Sequence, residues 1–358
     1  MMVPNNTTEP DMFLFKSGYE FPVYGLATGM FYYIHIPAIV CLIASVICAL
    51  ATIVLSFKDR KVGEFFTEWS KGERLVVYIS TCDGLFSASN LMNHLQVLFT
   101  LAHVRPKELC VFYGFVMTLF VVAQILIVNL VAINLFVMMF LSKNISFGKY
   151  DSGLLIWAFG VSILGATVAA SYEQFGPMGI ACFNDAFKGH KANMVLTTIP
   201  VPVILVTNIV LYIVTFIRIR SGAMIRSLGT NASAVKRHIK AAKRMSMFVL
   251  VFVAQWWCFG LVCAWSLFVD NLLEIPEHLN YFMVIFTNLG GVLNLVVYLL
   301  VFRNKSRSFM YNPRHMENKR NADLQPAIMT SSTKQHFSPK SETEVFLEMI
   351  NNEESTEL

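Results

Sequence analysis

The sequence predicts an all-α membrane protein: a seven-transmembrane helix bundle with its N-terminus outside the cell and its C-terminus in the cytosol. Three observations predict this fold. Of the 358 residues, 55% are apolar and only 14% are charged, against about a quarter charged in soluble domains. The apolar residues gather in long segments that contain a single charged residue, Asp83. The loops between these segments carry basic residues unevenly on the two sides.

The apolar segments are long enough to span a membrane. Each is near or above the roughly 20 residues that cross about 30 Å of hydrocarbon as a helix, and a helix satisfies its own backbone hydrogen bonds in lipid. These lengths exclude a water-soluble globular protein, a disordered chain and a porin-like barrel, whose strands have about ten residues. The seven segments are 31–57, 75–102, 109–141, 153–171, 195–217, 245–269 and 279–302.

The basic residues predict the orientation. With the N-terminus outside, the outer segments carry five Lys and Arg residues, whereas the inner loops and the start of the tail carry eighteen. Such an excess on one side is the positive-inside signal, so we expect a multi-pass protein of the plasma membrane. The inner loops also account for the net charge of +5, which therefore implies no nucleic-acid partner.

Two of the seven cysteines differ from the rest in position. The other five lie inside apolar segments, where a small buried hydrophobe is the expected role. Cys110 opens the third segment at its outer end, and Cys182 lies midway along the outer loop 172–194. Both face the oxidising side of the membrane, where disulfides persist. We expect a bridge between them that pins this loop over the bundle.

No internal repeat or linker divides the chain, so we expect one folded domain with two flanking segments. These parts are an extracellular N-terminal segment, 1–30, the bundle, 31–302, and a cytoplasmic tail, 303–358. The N-terminal segment carries overlapping N-glycosylation sequons at Asn5 and Asn6, which predict a glycoprotein. The tail is polar and is expected to be disordered. Its start, 303–311, is either a short helix at the membrane surface or a basic stop-transfer stretch.

Polar residues inside the apolar segments need partners because they are costly in a bilayer. In segments two and seven they recur at helical spacing, on one face of each helix, and segment three adds three amides. They are Asp83, Ser87, Asn90 and His94 in segment two, Gln124, Asn129 and Asn134 in segment three, and Thr287, Gly291, Asn294 and Tyr298 in segment seven. One explanation is interhelical hydrogen bonding that only holds the bundle together. The other is a functional site, which the ionisable Asp83 favours.

The segments, the orientation and the two outer cysteines resemble a G-protein-coupled receptor. Within this class, four short motifs are similar to the cyclic-AMP-receptor-like family and its orphan animal relatives. They are Cys82-Asp83-Gly84-Leu85-Phe86-Ser87-Ala88, Val131-Ala132-Ile133-Asn134-Leu135-Phe136, the stretch from Phe252 to Phe259 around Trp256 and Trp257, and Asn288-Leu289-Gly290-Gly291 followed by Asn294 and Tyr298. The resemblance implies a receptor, not an enzyme. It would convert binding of an extracellular ligand into activation of a heterotrimeric G protein by helix rearrangement.

The resemblance implies a switch network around Asp83. Its expected members are Asp83, Ser87, Asn134, Asn294 and Tyr298. Helices two and seven are neighbours in receptor bundles, and Asp83 and Asn294 each lie eight residues from the inner end of their segment. With no Lys or Arg at that depth, the options for Asp83 are Asn294, Ser87, water, a sodium ion near it, or protonation. Apart from this ion, no cofactor or metal is expected.

The ligand pocket is expected among the outer halves of helices two, three, five, six and seven. Its candidate residues are His94, Gln124, Trp256, Trp257, Asn280 and Tyr281. For His94 and the two tryptophans, core packing is an equally good explanation. Because no charged residue lies deep in this region, the sequence favours a neutral or lipid-like ligand over an amine.

Cytosolic partners are expected at the third inner loop and the tail. Candidate G-protein-facing residues recur at helical spacing before segment six: Lys236, Arg237, Lys240, Lys243 and Arg244. They are also explained by membrane lipid with anionic headgroups or by the positive-inside rule alone. The last residues, Thr356-Glu357-Leu358, suit a PDZ groove, although chance explains such an ending too. Tail Ser and Thr residues, once phosphorylated, would suit an arrestin-like partner.

Two rival functions have weaker support in the sequence. A seven-helix membrane transporter or channel needs ionisable residues on several helices and often an inverted repeat, and the segments hold one Asp and no visible repeat. Ion flux on expression would decide. An intramembrane hydrolase needs a nucleophile with its base, and Gly160-Val161-Ser162-Ile163 has no persuasive companion histidine.

Overall fold

The computed structural model is a bundle of helices with one short β-hairpin. It describes residues 16–58, 60–141, 143, 145–220, 232–268 and 277–300, without the side chains of 219, 220, 232–245 and 277. Asn5, Asn6 and the tail 303–358, with its segment 303–311 and its PDZ and arrestin-like candidates, lie outside the described residues. We call the end of the bundle that carries Cys110 and Cys182 the outer end, and the opposite end the inner end.

The first three helices follow the first three apolar segments. They are α1, Phe31–Phe57, α2, Lys71–Thr100, and α3, Lys107–Leu141. α2 begins four residues before the predicted start because Ser70 and Glu73 form a capping box. The Ser70 backbone N–H donates to the Glu73 carboxylate at 2.9 Å, which satisfies an amide that the helix leaves unpaired.

The next two apolar segments form helices that each contain a π-helical turn. The first consists of α4, Ser152–Leu155, a π-helical segment, Ile156–Gly160, and α5, Val161–Ser171. The second consists of α6, His190–Asn193, a π-helical segment, Met194–Thr198, and α7, Pro200–Arg220. Pro200 has no N–H to donate to the preceding turn, and such breaks in the α-helical pattern are typical places for a π turn.

The last two segments form one long helix and one bent pair. They are α8, Ala232–Trp265, followed by α9, Glu277–Thr287, and α10, Gly290–Tyr298. α9 and α10 meet at an angle of 46°, so segment seven is a broken helix and not the single one that its sequence predicts. A Cβ atom on Gly291 would overlap the backbone of Ser45 in α1. Glycine there allows α10 to pack closely against α1.

The number of membrane crossings depends on α2. Five of the described helices are long and apolar enough to span a bilayer, and the bent pair α9–α10 adds a sixth when it is counted as one span. The 30-residue α2 is long enough, but its many buried polar residues lower its mean hydropathy, and it is not among these spans. α2 nevertheless packs between α1 and α3 and also contacts α10. The count of seven and the orientation of the termini stay predictions.

A β-hairpin covers the outer end. β1, Phe175–Pro177, and β2, Cys182–Asn184, are antiparallel, with Gly176 opposite Phe183. Cys182 is bonded to Cys110 at the start of α3, and their Cα atoms lie 5.3 Å apart. The Asn93 side chain of α2 donates to the Cys182 carbonyl at 3.0 Å and accepts from the Cys182 N–H at 3.2 Å. The outer loop is thus fastened to both α2 and α3.

Candidate functional site

Asp83 is completely buried in the interior of the bundle. It lies twelve residues into α2, about 18 Å along the helix axis. Three side-chain amides donate hydrogen bonds to its carboxylate. Gln124 Nε2 lies 3.0 Å and Gln255 Nε2 lies 3.2 Å from Oδ1, and Asn294 Nδ2 binds Oδ2. We call Asp83, Gln124, Gln255 and Asn294 the Asp83 cluster.

The Asp83 cluster joins four helices through one carboxylate. Its members come from α2, α3, α8 and α10. Gln255 makes two further contacts: its Nε2 also lies 3.2 Å from the carbonyl oxygen of Thr287 at the end of α9, and its Oε1 accepts from Gln124 at 3.3 Å. A displacement of α8 would therefore change the hydrogen bonding of α2, α3 and α9 together.

Gly290 allows the backbone of α10 to come close to this carboxylate. A Cβ atom on Gly290 would overlap the Asp83 carboxylate and the Gln255 amide. The bend between α9 and α10 places this glycine at the first position of α10. The bend and Gly290 are therefore both needed for the close packing of α10 against the Asp83 cluster.

The Asp83 carboxylate has no cation as its partner among the residues that the structure describes. Burying a carboxylate costs several kcal/mol unless hydrogen bonds or an opposite charge compensate. Hydrogen bonds to an ionised acceptor are each worth about 1.5–3 kcal/mol. Three amide donors on three different helices thus stabilise the charge only while those helices keep their positions. The arrangement is suited to exchange partners, bind a cation or take up a proton.

The structure places the five expected switch residues in different regions. Asp83 and Asn294 meet, as their equal depth suggests, and Ser87 is buried one turn further out on α2. Asn134 lies ten residues beyond Gln124, about 15 Å nearer the inner end, where its Oδ1 accepts from the Ile145 N–H at 2.9 Å. Tyr298 donates to the Leu55 carbonyl of α1 at 2.8 Å. Neither of these last two belongs to the Asp83 cluster.

Two of the expected pocket residues have contacts that the sequence did not predict. Gln124 binds Asp83, and Trp257 is 37% exposed and contacts Phe286 of α9. Trp256 is the one of the two tryptophans that points inward, because adjacent residues in a helix cannot share a face. It is 2% exposed and lies 6.2 Å from the Phe86 ring of α2, between ring centroids.

A second polar group lies between α1, α2 and the α9–α10 bend. His94 Nδ1 is 2.9 Å from His35 Nδ1, and Asn90 Nδ2 donates to Asn288 Oδ1 at 3.0 Å. Some buried polar atoms of this region have no hydrogen-bond partner among the described residues: His35 Nε2, Asn90 Oδ1 and Trp256 Nε1. Asn280 and Tyr281 are half-buried on α9. The outer half therefore offers neutral donors and acceptors.

An ion pair at the inner end was not expected from the sequence. Arg74 Nε and Nη2 donate to the two oxygens of Asp151 at 2.6 and 2.9 Å, and Tyr78 donates to Asp151 at 3.0 Å. Both charged residues are buried. The pair fastens the loop before α4 to the start of α2. In the sequence, Arg74 is one of the basic residues that predict the orientation. No pattern links it to Asp151, which lies 77 positions away.

The remaining expected residues include the basic group that precedes segment six. Lys236, Arg237, Lys240, Lys243 and Arg244 lie in the first turns of α8, where the described backbone is helical. Gln255 of the same helix is the cluster member that the sequence reasoning missed. A single amide in an otherwise apolar segment was the signal that could have identified it.

Comparison with known proteins identifies the fold and no family. The chain matches no protein-family model, and no curated protein matches its sequence. Its structure is similar to the crystal structure of squid rhodopsin, with a TM-score of 0.60 and 14% sequence identity. The match covers 91% of this chain and 98% of the squid protein. The chain thus has a rhodopsin-like fold.

Proposed function

We propose that this protein is a G-protein-coupled receptor that converts binding of an extracellular ligand into activation of a heterotrimeric G protein. The observation that carries the proposal is the Asp83 cluster, which joins four helices through one buried carboxylate in a rhodopsin-like fold. Signalling of this kind needs two arrangements of the helices that the outer ligand and the inner partner bind with different affinity. The cluster is the element whose bonding would differ between them.

The mechanism couples the two ends through α8. Gln255 of the cluster precedes Trp256, which lies among aromatic rings of α2 and α8 in the outer half. A ligand that displaces Trp256 would rotate or shift α8 and alter both bonds that Gln255 donates. The same helix continues to the basic residues Lys236 to Arg244, the proposed contact with the G protein. Movement of α8 would then connect ligand binding, the Asp83 cluster and the contact with the G protein.

The ligand that fits the outer half is neutral or lipid-like. Between residues 84 and 100 of α2, and throughout α1, there is no Asp, Glu, Lys or Arg. The unpartnered atoms of Trp256, His35 and Asn90 offer hydrogen bonds to an uncharged group. An amine or a carboxylate would be desolvated there with no opposite charge from these helices.

The proposed topology has seven crossings, with α2 as the seventh, in the plasma membrane. The cluster compensates Asp83, the one charged residue in the apolar part of α2, because internal hydrogen bonds reduce the cost of polar groups in lipid. The outer end faces the extracellular side, where Asn5 or Asn6 would carry a glycan. The tail is cytosolic and carries the proposed PDZ and arrestin-like sites.

A sodium ion is a second partner that we propose for Asp83. Hard cations take oxygen ligands, and the neighbourhood holds the Asp83 carboxylate, the Ser87 hydroxyl and the amide oxygens of Gln124, Gln255 and Asn294. Turning an amide would exchange its donor for an oxygen ligand. Sodium would then compete with the amide bonds and favour one helix arrangement.

The test is a second-messenger panel against a metabolite library, run on wild-type protein and on Asp83→Asn. We expect at least one G-protein pathway to respond to the wild type, and the variant to reach the surface with altered basal or ligand-driven signalling. Asn129→Ala is the matched control, because Asn129 binds Asn208 at 3.0 Å outside the cluster. A variant that signals like wild type at every sodium concentration and pH would refute the role of Asp83. Ion flux without second-messenger output would favour the transporter or channel.

A further inference from the structure

The segment before α1 lies across the outer end of the bundle. We call residues 17–25 the outer strap. Its Val23 is 7% exposed and packs in an apolar cluster with residues at the outer ends of the first three helices, among them Phe31, Val97 and Tyr113. Cys182 of the disulfide belongs to the same cluster. The strap therefore covers the apolar outer ends of α1, α2 and α3.

One carboxylate on the outer loop holds the start of the strap. Asp185 is 5% exposed. The Gly18 N–H donates to its Oδ1 at 3.1 Å and to its Oδ2 at 3.0 Å, and the Ser17 hydroxyl donates to Oδ2 at 3.4 Å. Oδ1 also accepts from the N–H groups of Phe187 and Lys188, both at 2.9 Å. Among the described residues, Oδ1 thus accepts from both the loop and the strap, and Oδ2 accepts from the strap.

Further hydrogen bonds hold the strap to the hairpin and to the turn between α2 and α3. The Tyr24 N–H donates to the Gly179 carbonyl at 3.1 Å, and His103 Nε2 donates to the Phe21 carbonyl at 2.6 Å. The Tyr19 hydroxyl donates to the Val104 carbonyl at 3.0 Å. Burial raises the pKa of Tyr19 to about 12, so this donor keeps its proton throughout the physiological range.

The strap has the features of a segment that can move as a unit. All the contacts described above are non-covalent. Two glycines with positive φ, Gly25 and Gly29, separate it from α1, and residues 26–29 are exposed. Exposed backbone of this kind changes conformation at low cost, so residues 26–29 are suited to be the hinge of the strap. A Cβ atom on Gly18 would overlap the Pro177 carbonyl, so the closed position also requires glycine where the strap meets Asp185.

We propose that the outer strap is a lid over the outer end of the bundle and that the Asp185 carboxylate holds it shut. A ligand that arrives from the aqueous side reaches the outer ends of α1, α2 and α3 only when this lid is released. The lid rests on the proposed function for its biological role, because it regulates access to the proposed ligand site. Its existence as a moving part is independent of signalling.

The test measures exposure beneath the strap in the full-length protein on intact cells. Val23→Cys is introduced and labelled with a sulfonated, membrane-impermeant maleimide. We expect slow labelling in the otherwise wild-type chain and labelling about tenfold faster when Asp185→Asn is added, the effect of losing one hydrogen bond to a charged acceptor. Asn keeps an oxygen for Phe187 and Lys188 but turns an amide donor toward the Gly18 N–H. Equal rates in the two chains would overturn the proposal.

Two control variants are compared with the labelling rate of Val23→Cys. Glu173→Gln makes the same chemical change on an exposed carboxylate of the same loop, which binds Lys188 at 2.9 Å, and it should leave the labelling rate unchanged. Leu26→Cys, at a position that is 45% exposed, should label rapidly with or without Asp185→Asn. The chain without an added cysteine gives the background from its native thiols.

A second variant covers a failure of Asp185→Asn to reach the surface. Ser17→Ala with Tyr19→Phe removes two strap bonds and leaves the bonds of the hairpin intact, so labelling of Val23→Cys should accelerate in that chain as well. No acceleration would overturn the lid. Faster labelling in a protein that drives no G-protein pathway would instead contradict the proposed function and leave the lid in place.

Discussion

Asp83 and Asp151 are both buried carboxylates, yet their surroundings differ in kind. Asp83 lies in the interior and is held by three neutral amides from three other helices. Asp151 lies at the inner end and is held by the guanidinium of Arg74 and the hydroxyl of Tyr78, both from α2. The first carboxylate joins helices across the bundle, whereas the second joins one loop to one helix.

The surroundings of Asp83 and Asp151 determine which of the two carboxylates can change partners. Breaking the Arg74–Asp151 pair would leave two buried charges, which costs about 3–5 kcal/mol, so the loop before α4 is held in one position. Neutral amides around Asp83 lose only hydrogen bonds when a helix moves, and water or a cation can replace them. A fixed inner loop beside an adaptable interior is the arrangement expected of a bundle whose helices shift without unfolding.

Replacement of Arg74 by Ala should have the largest effect on stability. Among the described residues it leaves Tyr78 as the one side-chain partner of the buried Asp151 carboxylate, so we expect a loss of about 3–5 kcal/mol and reduced surface expression. Thermal unfolding of the purified protein in detergent measures it. Arg60→Ala is the control, because the Arg60–Glu73 pair is partly exposed and should be worth at most about 1 kcal/mol. Equal effects of the two changes would contradict the buried pair.

The same substitution at the two carboxylates sharpens the comparison. Asp151→Asn should lower the free energy of unfolding by about 1.5–3 kcal/mol, because it removes the charge opposite Arg74. Asp83→Asn should cost less than about 1 kcal/mol, because no buried cation loses its counter-charge. Unfolding of the two variants side by side gives the answer. A loss for Asp83→Asn as large as that for Asp151→Asn would contradict the difference between the two carboxylates.

Gly290→Ala tests the packing of the Asp83 cluster. Its new Cβ atom would overlap Asp83 and Gln255, and overpacking of this kind typically costs about 1–3 kcal/mol. We expect a loss near the lower end, together with altered basal signalling, because α10 or α8 must shift. Gly84→Ala is a control, since a Cβ there meets only the Ala49 side chain at 3.4 Å. Unchanged stability and signalling in Gly290→Ala would argue against a tightly packed cluster.

Tyr78→Phe tests the hydrogen bond that Asp151 accepts from outside its ion pair. It removes one hydrogen bond to Asp151 and leaves both bonds from Arg74, so we expect a loss of about 1.5 kcal/mol or less. Unfolding in detergent again measures it, against Tyr212→Phe on α7. In an Arg74→Ala background the loss should grow, because Tyr78 is then the remaining described side-chain partner of Asp151. Strict additivity of the two changes would show that they act on separate sites.

The sequence was informative wherever helical spacing and membrane solvation decide the answer. The start and end of α1 coincide with those of its predicted segment, and the equal depth of Asp83 and Asn294 led to a contact that the structure contains. The two outer cysteines, selected by position, are bonded. Spacing does not say which helix or loop a polar residue contacts when several are near: Gln124 binds Asp83, and Asn134 accepts from a loop backbone N–H.

The amino-acid sequence alone predicts a lipid environment for the helices and a likeness to a receptor bundle. Hydrocarbon excludes charged side chains and requires backbone hydrogen bonds within the protein. Both requirements can be read from the composition and from the lengths of the apolar segments. The partners of Asp151 and Asp185 become visible in the tertiary structure alone, because Arg74 and Gly18 lie far from them along the chain. The tertiary structure also decided the bend at Asn288 and the inward choice of Trp256 over Trp257, since each depends on the packing of neighbouring helices.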